Sequence, residues 1–160
     1  MARPLFMICS ESGSLDKYSN CVSAYSIIES IQVAAVAEGM PPPEFPPTHS
    51  LPPRSGPAPL RIVATWIGDD DDKGVEFEYK TTIQLNRDGV VSPLGSGTFI
   101  WNSRNHRFLT LTQIQLTPAA EFVLLKNAIR RTGSKAEWLQ QEYCIAVEVI
   151  DAPELVPPNP

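Results

Sequence analysis

Four consecutive carboxylates, Asp69 to Asp72, form the densest group of oxygen ligands in the chain. Calcium takes six to eight oxygens, and sandwiches of the C2 kind gather such carboxylates on loops at one end. Adjacent residues of an extended segment point to opposite sides, so two of the four could converge on one ion. None of Asp16, Asp88 and Glu121 lies in a D-x-D pair that would supply the rest. The expected state of this run is a solvated, mutually repelling loop tip. Ca²⁺-dependent binding through Asp69 to Asp72 is the alternative.

Nucleophilic chemistry has less to work with. His49 falls in a proline-rich stretch and His106 in a polar turn, and neither accompanies a G-x-S-x-G elbow or a neighbouring Ser, Cys or Asp in a recognisable arrangement. Gly95-Ser96-Gly97 lacks the Lys and the following helix of a phosphate-binding loop and reads as a turn before a strand. Cys9, Cys21 and Cys144 include no C-x-x-C pair, each has apolar neighbours, and they read as reduced core residues of a cytosolic protein. A zinc site from these cysteines with His49 or His106 lacks the short ligand spacings such sites use. No catalytic, cofactor or metal residues are therefore assigned, and a non-enzyme is expected. An unrecognised hydrolase, which would have to gather His106 with carboxylates, is a further alternative. Trp66, Trp101 and Trp138 sit in or near predicted strands and are expected in the core rather than on an exposed platform. Lys126, Arg130 and Arg131 read as a solvated basic face.

The net charge is −5, and Asp69 to Asp72 account for four of those charges. That balance argues against nucleic acid, whose phosphates require clustered Lys and Arg. No apolar run is long enough to span a membrane, and Pro4 to Cys9 is too short for a signal h-region, so a cytoplasmic location is expected. Of the 16 prolines, nine lie between Pro41 and Pro59 and four between Pro153 and Pro160. Proline has no N–H for a sheet interior, so these stretches read as a loop at 41–59 within a single domain, 1–150, and a tail at 151–160. Pro43-Glu44-Phe45-Pro46 and Leu51-Pro52-Pro53-Arg54 match polyproline-II ligands, although a long crossover loop needs no partner.

The elements that would position these residues show period two. Val75, Phe77, Tyr79, Thr81, Ile83 and Leu85 alternate with polar residues, as do Leu60, Ile62, Ala64 and Trp66 with Arg61, Val63 and Thr65. Gly68 to Gly74 would then join these two strands as a hairpin with the acidic run at its tip. Further strands are expected at Leu5 to Cys9, Cys21 to Ile28, Gly97 to Trp101, Arg107 to Leu116 and Tyr143 to Val149. Phe122 to Ile129 is expected to form a hairpin with the last of these, with a helix over 118–131 as the alternative. Tyr25 to Val36 fits strand or helix. The sum is an all-β antiparallel sandwich of seven or eight strands with at most one short helix.

The order of Cys9-Ser10-Glu11, Asn20-Cys21-Val22, Leu60 to Trp66, Gly74 to Tyr79, Asp88-Gly89, Arg107-Phe108, Glu121-Phe122, Trp138 and Tyr143 to Val149 resembles an uncharacterised bacterial family of small single-domain β-sandwich proteins, a domain of unknown function. The stretch Pro41 to Pro59 is longer and richer in proline than that resemblance implies. It implies a bacterial β-sandwich, compatible with immunoglobulin-like or C2-like topology, and it carries no activity or catalytic residues. The functional expectation is a protein-binding or accessory module that docks a protein partner through edge strands or end loops, with homo-oligomers through edge strands as a variant.

Overall fold

A computed structural model describes residues 1–15, 22–34, 59–86, 89–113 and 121–150. The proline-rich stretch through 58, the tail 151–160, His49 and Cys21 lie outside the described residues. The strands are β1 (Arg3–Leu15), β2 (Val22–Ile27), β3 (Ser30–Ala34), β4 (Pro59–Ile67), β5 (Glu76–Leu85), β6 (Val91–Ile100), β7 (Asn105–Gln113), β8 (Phe122–Arg131) and β9 (Leu139–Ile150). They form a four-stranded sheet, β2-β1-β4-β7, and a five-stranded sheet, β3-β9-β8-β5-β6. The all-β sandwich is as expected, with nine strands among the described residues and a single 3-10 turn at Asp70–Asp72.

Both ambiguous stretches resolve as strand. Phe122–Arg131 is β8, joined to β9 by a turn in which Gly133 takes φ +73°, a conformation that costs glycine no Cβ clash. Ser30–Ala34 is β3, and it runs parallel to β9, so the second sheet is mixed rather than wholly antiparallel. Ile28 and Glu29 make the crossing between sheets. The Ile28 N–H donates to the Cys9 carbonyl of the first sheet, and the Glu29 carbonyl accepts from the Ala146 N–H of the second. Pro59 belongs to β4 rather than to the loop before it, at a first strand position, where a missing N–H is tolerated.

The expected hairpin at Gly68 to Gly74 does not form. β4 and β5 lie in different sheets, so this segment is a crossover over the end of the sandwich. The alternation of the two strands is nonetheless as read. Leu60, Ile62, Ala64 and Trp66 of β4 and Phe77, Thr81 and Ile83 of β5 are buried between the sheets, with Val123, Leu125 and Ile129 of β8. Burying one such large side chain stabilises by about 1.5–3 kcal/mol. Three polar groups within this layer bond to one another. Trp66 Nε1 donates to Asn127 Oδ1 at 2.7 Å, and Asn127 Nδ2 donates to Thr81 Oγ1 at 2.8 Å.

Candidate functional site

The acidic run is built into the end of the sandwich. Asp69 N-caps the 3-10 turn, and its backbone N–H donates to Asp72 Oδ2 at 3.0 Å. Asp72 is fully buried, and Arg131 at the end of β8 donates to its Oδ1 at 2.6 Å. Burial works to raise the Asp72 carboxyl, but the Arg131 bond, the Asp69 N–H and nearby positive charge outweigh it and hold the group below its ordinary value. Asp72 thus fastens the crossover to β8 and departs from the expected solvated tip. Asp69 contacts the Met1 amino group, while Asp70 and Asp71 are exposed. Asp69 to Asp71 line a polar cleft of about 730 Å³ whose other wall is Trp101 to Arg104. Gly68 lies against the Trp101 indole, where a Cβ would collide with the ring. Among the described residues no group of three or more His, Cys, Asp or Glu side chains is placed to hold a metal.

His106 lies in β7 rather than in a turn, because Asn105 already pairs with Ile67. Its ring stacks on Phe99 of β6 at 3.9 Å between centroids, and Phe108 lies 4.7 Å from it. Burial among these rings pushes its pKa down and favours the neutral imidazole. β6 and β7 edge opposite sheets on the same flank, so these aromatic contacts close the sandwich where no backbone ladder does. Tyr79 and Phe108, 4.5 Å apart, continue the closure, and beside them a cleft of about 420 Å³ runs along β7 from Arg107 to Leu111.

The other candidates divide. Trp66 and Trp101 are core residues as expected. Trp138 is half-buried on the outer face of the five-stranded sheet, with Lys80 and Arg130 over its ring at 4.4 and 4.5 Å. The basic residues of that face pair with carboxylates: Lys126 with Glu142 at 2.9 Å and Arg130 with Glu78 at 3.1 Å. Gly95-Ser96-Gly97 lies inside β6 rather than in a turn. Cys9 is buried and its thiol is pushed up to about 12, chiefly by desolvation, whereas Cys144 is exposed on β9 and is not the core residue expected.

A different surface stands out once the register is known. Opposite the core, the four-stranded sheet presents three rows of side chains. One row is Leu111, Arg61, Ser10 and Ile27, the next Leu109, Val63 and Ile8, and the third Arg107, Thr65 and Phe6. Leu109, Leu111, Ile27 and Phe6 are exposed, at 50%, 63%, 53% and 37%, whereas Ser10, Val63 and Thr65 of the same rows are buried. With strands about 4.8 Å apart and alternate residues about 6.8 Å apart, the array spans roughly 14 by 13 Å. A water-facing sheet surface is ordinarily polar, as the other sheet's is.

No protein-family model and no curated protein matches the chain.

The apolar array went unread in the sequence because each strand was assigned one core face. A signal was nevertheless present. Leu5 to Cys9 and Ile62 to Ala64 are continuous apolar runs rather than alternating ones, and such runs mark strands covered on both faces.

Proposed function

We propose that this protein is a non-enzymatic docking module that binds another protein through the outer face of the four-stranded sheet. The observation that carries the reading is the exposure of Leu109, Leu111, Phe6 and Ile27 on the outer face of one sheet. Large apolar side chains gathered on one exposed face mark interaction sites in soluble proteins. The reading moves the docking surface from the edge strands and end loops to a sheet face. The polar cleft beside Asp70 and Asp71 offers no comparable apolar anchor, and His106 sits among aromatic rings rather than beside a nucleophile. The free thiols of Cys9 and Cys144 support a reducing, cytoplasmic setting, and among the described residues no helix is long and apolar enough to cross a membrane.

The test is site-specific photocrosslinking in the native host, with benzoylphenylalanine at Leu109 or, as control, at Gln140 on the opposite sheet's outer face. A discrete protein adduct from Leu109 and none from Gln140 is expected. Absence of an adduct at Leu109, or the same adducts from both positions, overturns the reading.

A further inference from the structure

Four strands border the two sheets, and they are unequally guarded. β2 and β3 have six and five residues, and β6 carries Pro93 and a register shift opposite Thr81 and Thr82. Short length, proline and bulges are devices that keep other chains from pairing with an edge. β7 has none of them. Its nine residues include no Pro or Gly and pair with β4 without a shift, and among the described residues no strand pairs along their far side. The register also fixes which backbone groups face that side. One step beyond the Ile67 and Asn105 pair, the Gly68 N–H donates to the Arg104 carbonyl. Bonded pairs recur at every second residue of an antiparallel ladder, so His106, Phe108, Thr110 and Thr112 turn their N–H and C=O groups toward β4. Those of Leu109 and Leu111 therefore point outward, along the border.

A seat lies beside them. The cleft along β7 has Tyr79, Leu94 and Gly95 as its other wall. Gly95 pairs with the buried Thr81, so a side chain there would point between the sheets, and a Cβ would meet nothing within 4 Å. The glycine thus leaves the space open. Resting on the docking reading above, we infer that the partner enters by strand addition along β7. The occupant is an extended segment of another protein whose main chain bonds to that of Leu109 and Leu111. Alternate apolar side chains of the segment lie beside theirs, and a small apolar or β-branched one between them turns into the cleft over Gly95. Such a segment is apolar on both faces and has no proline at the bonded positions. A second copy of this chain, pairing through its own β7, fits poorly. Its Phe108 is buried against Tyr79 of its own core and has no side chain to give to the cleft.

The experiment selects binders to the intact protein from a displayed library of random decapeptides and measures synthetic copies by fluorescence anisotropy. Each peptide is also made with a single backbone N-methyl group at successive positions. Methylation is expected to weaken binding at least about tenfold at every second residue, where the N–H faces β7, and to have little effect at the residues between. Gly95→Val, which suits a strand and fills the cleft, is expected to weaken binding as much, with its melting midpoint verifying the fold. In hydrogen exchange, the Leu109 and Leu111 amides are expected to exchange fast in the free protein and to become protected with peptide. No enrichment, methylation effects without a period of two, or undiminished binding to Gly95→Val overturns the proposal. So does protection of the Leu109 and Leu111 amides before any peptide is added, because the border is then already paired. A crosslink at Leu109 together with peptides lacking the period of two would remove strand addition and leave the docking reading standing. Absence of both the crosslink and any enrichment removes the two together.

Discussion

The indole N–H of Trp66 on β4 donates to the side-chain carbonyl of Asn127 on β8, 2.7 Å away, so a buried hydrogen bond joins the two sheets across the core. Asn127 passes the connection on to Thr81 of β5 through its amide nitrogen. Each polar atom in this set is removed from water, and its stabilising effect depends on all three partners being present.

Replacing Asn127 by Ala removes a hydrogen-bond partner from both the Trp66 N–H and the Thr81 hydroxyl in a dry core. A loss of about 1–3 kcal/mol is expected, from the lost hydrogen bonds and a small cavity. Urea denaturation measures it, and a midpoint unchanged from the parent protein would contradict the role assigned to Asn127.

Asp72 makes stability depend on acid. Its folded-state pKa is lowered, so its contribution is complete above the ordinary carboxylate value of about 4 and is lost as pH falls below that toward the folded value. Asp72→Asn keeps the shape and removes the charge. The melting midpoint of the parent protein is expected to exceed that of the variant at pH 6, with the gap closing as pH falls below about 4. A gap that stays constant would show that the carboxylate's ionisation contributes nothing.

His106 acts through a second window. Burial lowers its folded-state pKa, so the neutral ring contributes fully above about pH 6.5 and stability declines as pH falls below that value. The imidazole Cε1 resonance is expected to titrate below pH 6.5, and His106→Phe is expected to flatten this part of the stability profile. Titration of His106 at or above 6.5 would contradict its placement among Phe99 and Phe108.

The two described cysteines differ in reactivity. Cys9 is buried with its thiol raised to about 12, while Cys144 faces solvent. Brief iodoacetamide treatment at pH 8, followed by peptide mapping, is expected to label Cys144 in the native protein and Cys9 only after denaturation. Equal labelling of both in the native state would place Cys9 outside the core.

These residues also mark how far the sequence could be read. β5 was legible because Val75 to Leu85 alternates strictly and the alternation is itself the cause of the buried face. The sheet that β5 would join was not legible. A connection from Gly68 to Gly74 suits a hairpin or a crossover equally, and the choice rests on pairing with β8, whose partner positions lie 38 to 54 residues further along the chain. Asp72 was misread for the same reason, since four adjacent carboxylates look solvated until Arg131 is brought to one of them by the β8–β9 hairpin. β3 is short, and its parallel partner β9 lies at the far end of the chain. Trp138 follows neither core pattern, because Lys80 and Arg130 rather than apolar groups cover its ring.

The crossing at Ile28 and Glu29 has a mechanical consequence. The three Cα–Cα steps from Ile27 to Ser30 reach at most about 10–11 Å, while packed sheets stand about 10 Å apart, so the link has no slack. Tyr143 adds a rivet, its hydroxyl donating to the Ile28 carbonyl at 2.8 Å. On the opposite flank, Trp101 to Arg104 carry the chain directly from β6 to β7, and rings such as Phe99 and His106 stack between the two strands. The sandwich is therefore tied along both flanks, by the taut link between β2 and β3 and by the short connection and stacked rings at β6 and β7.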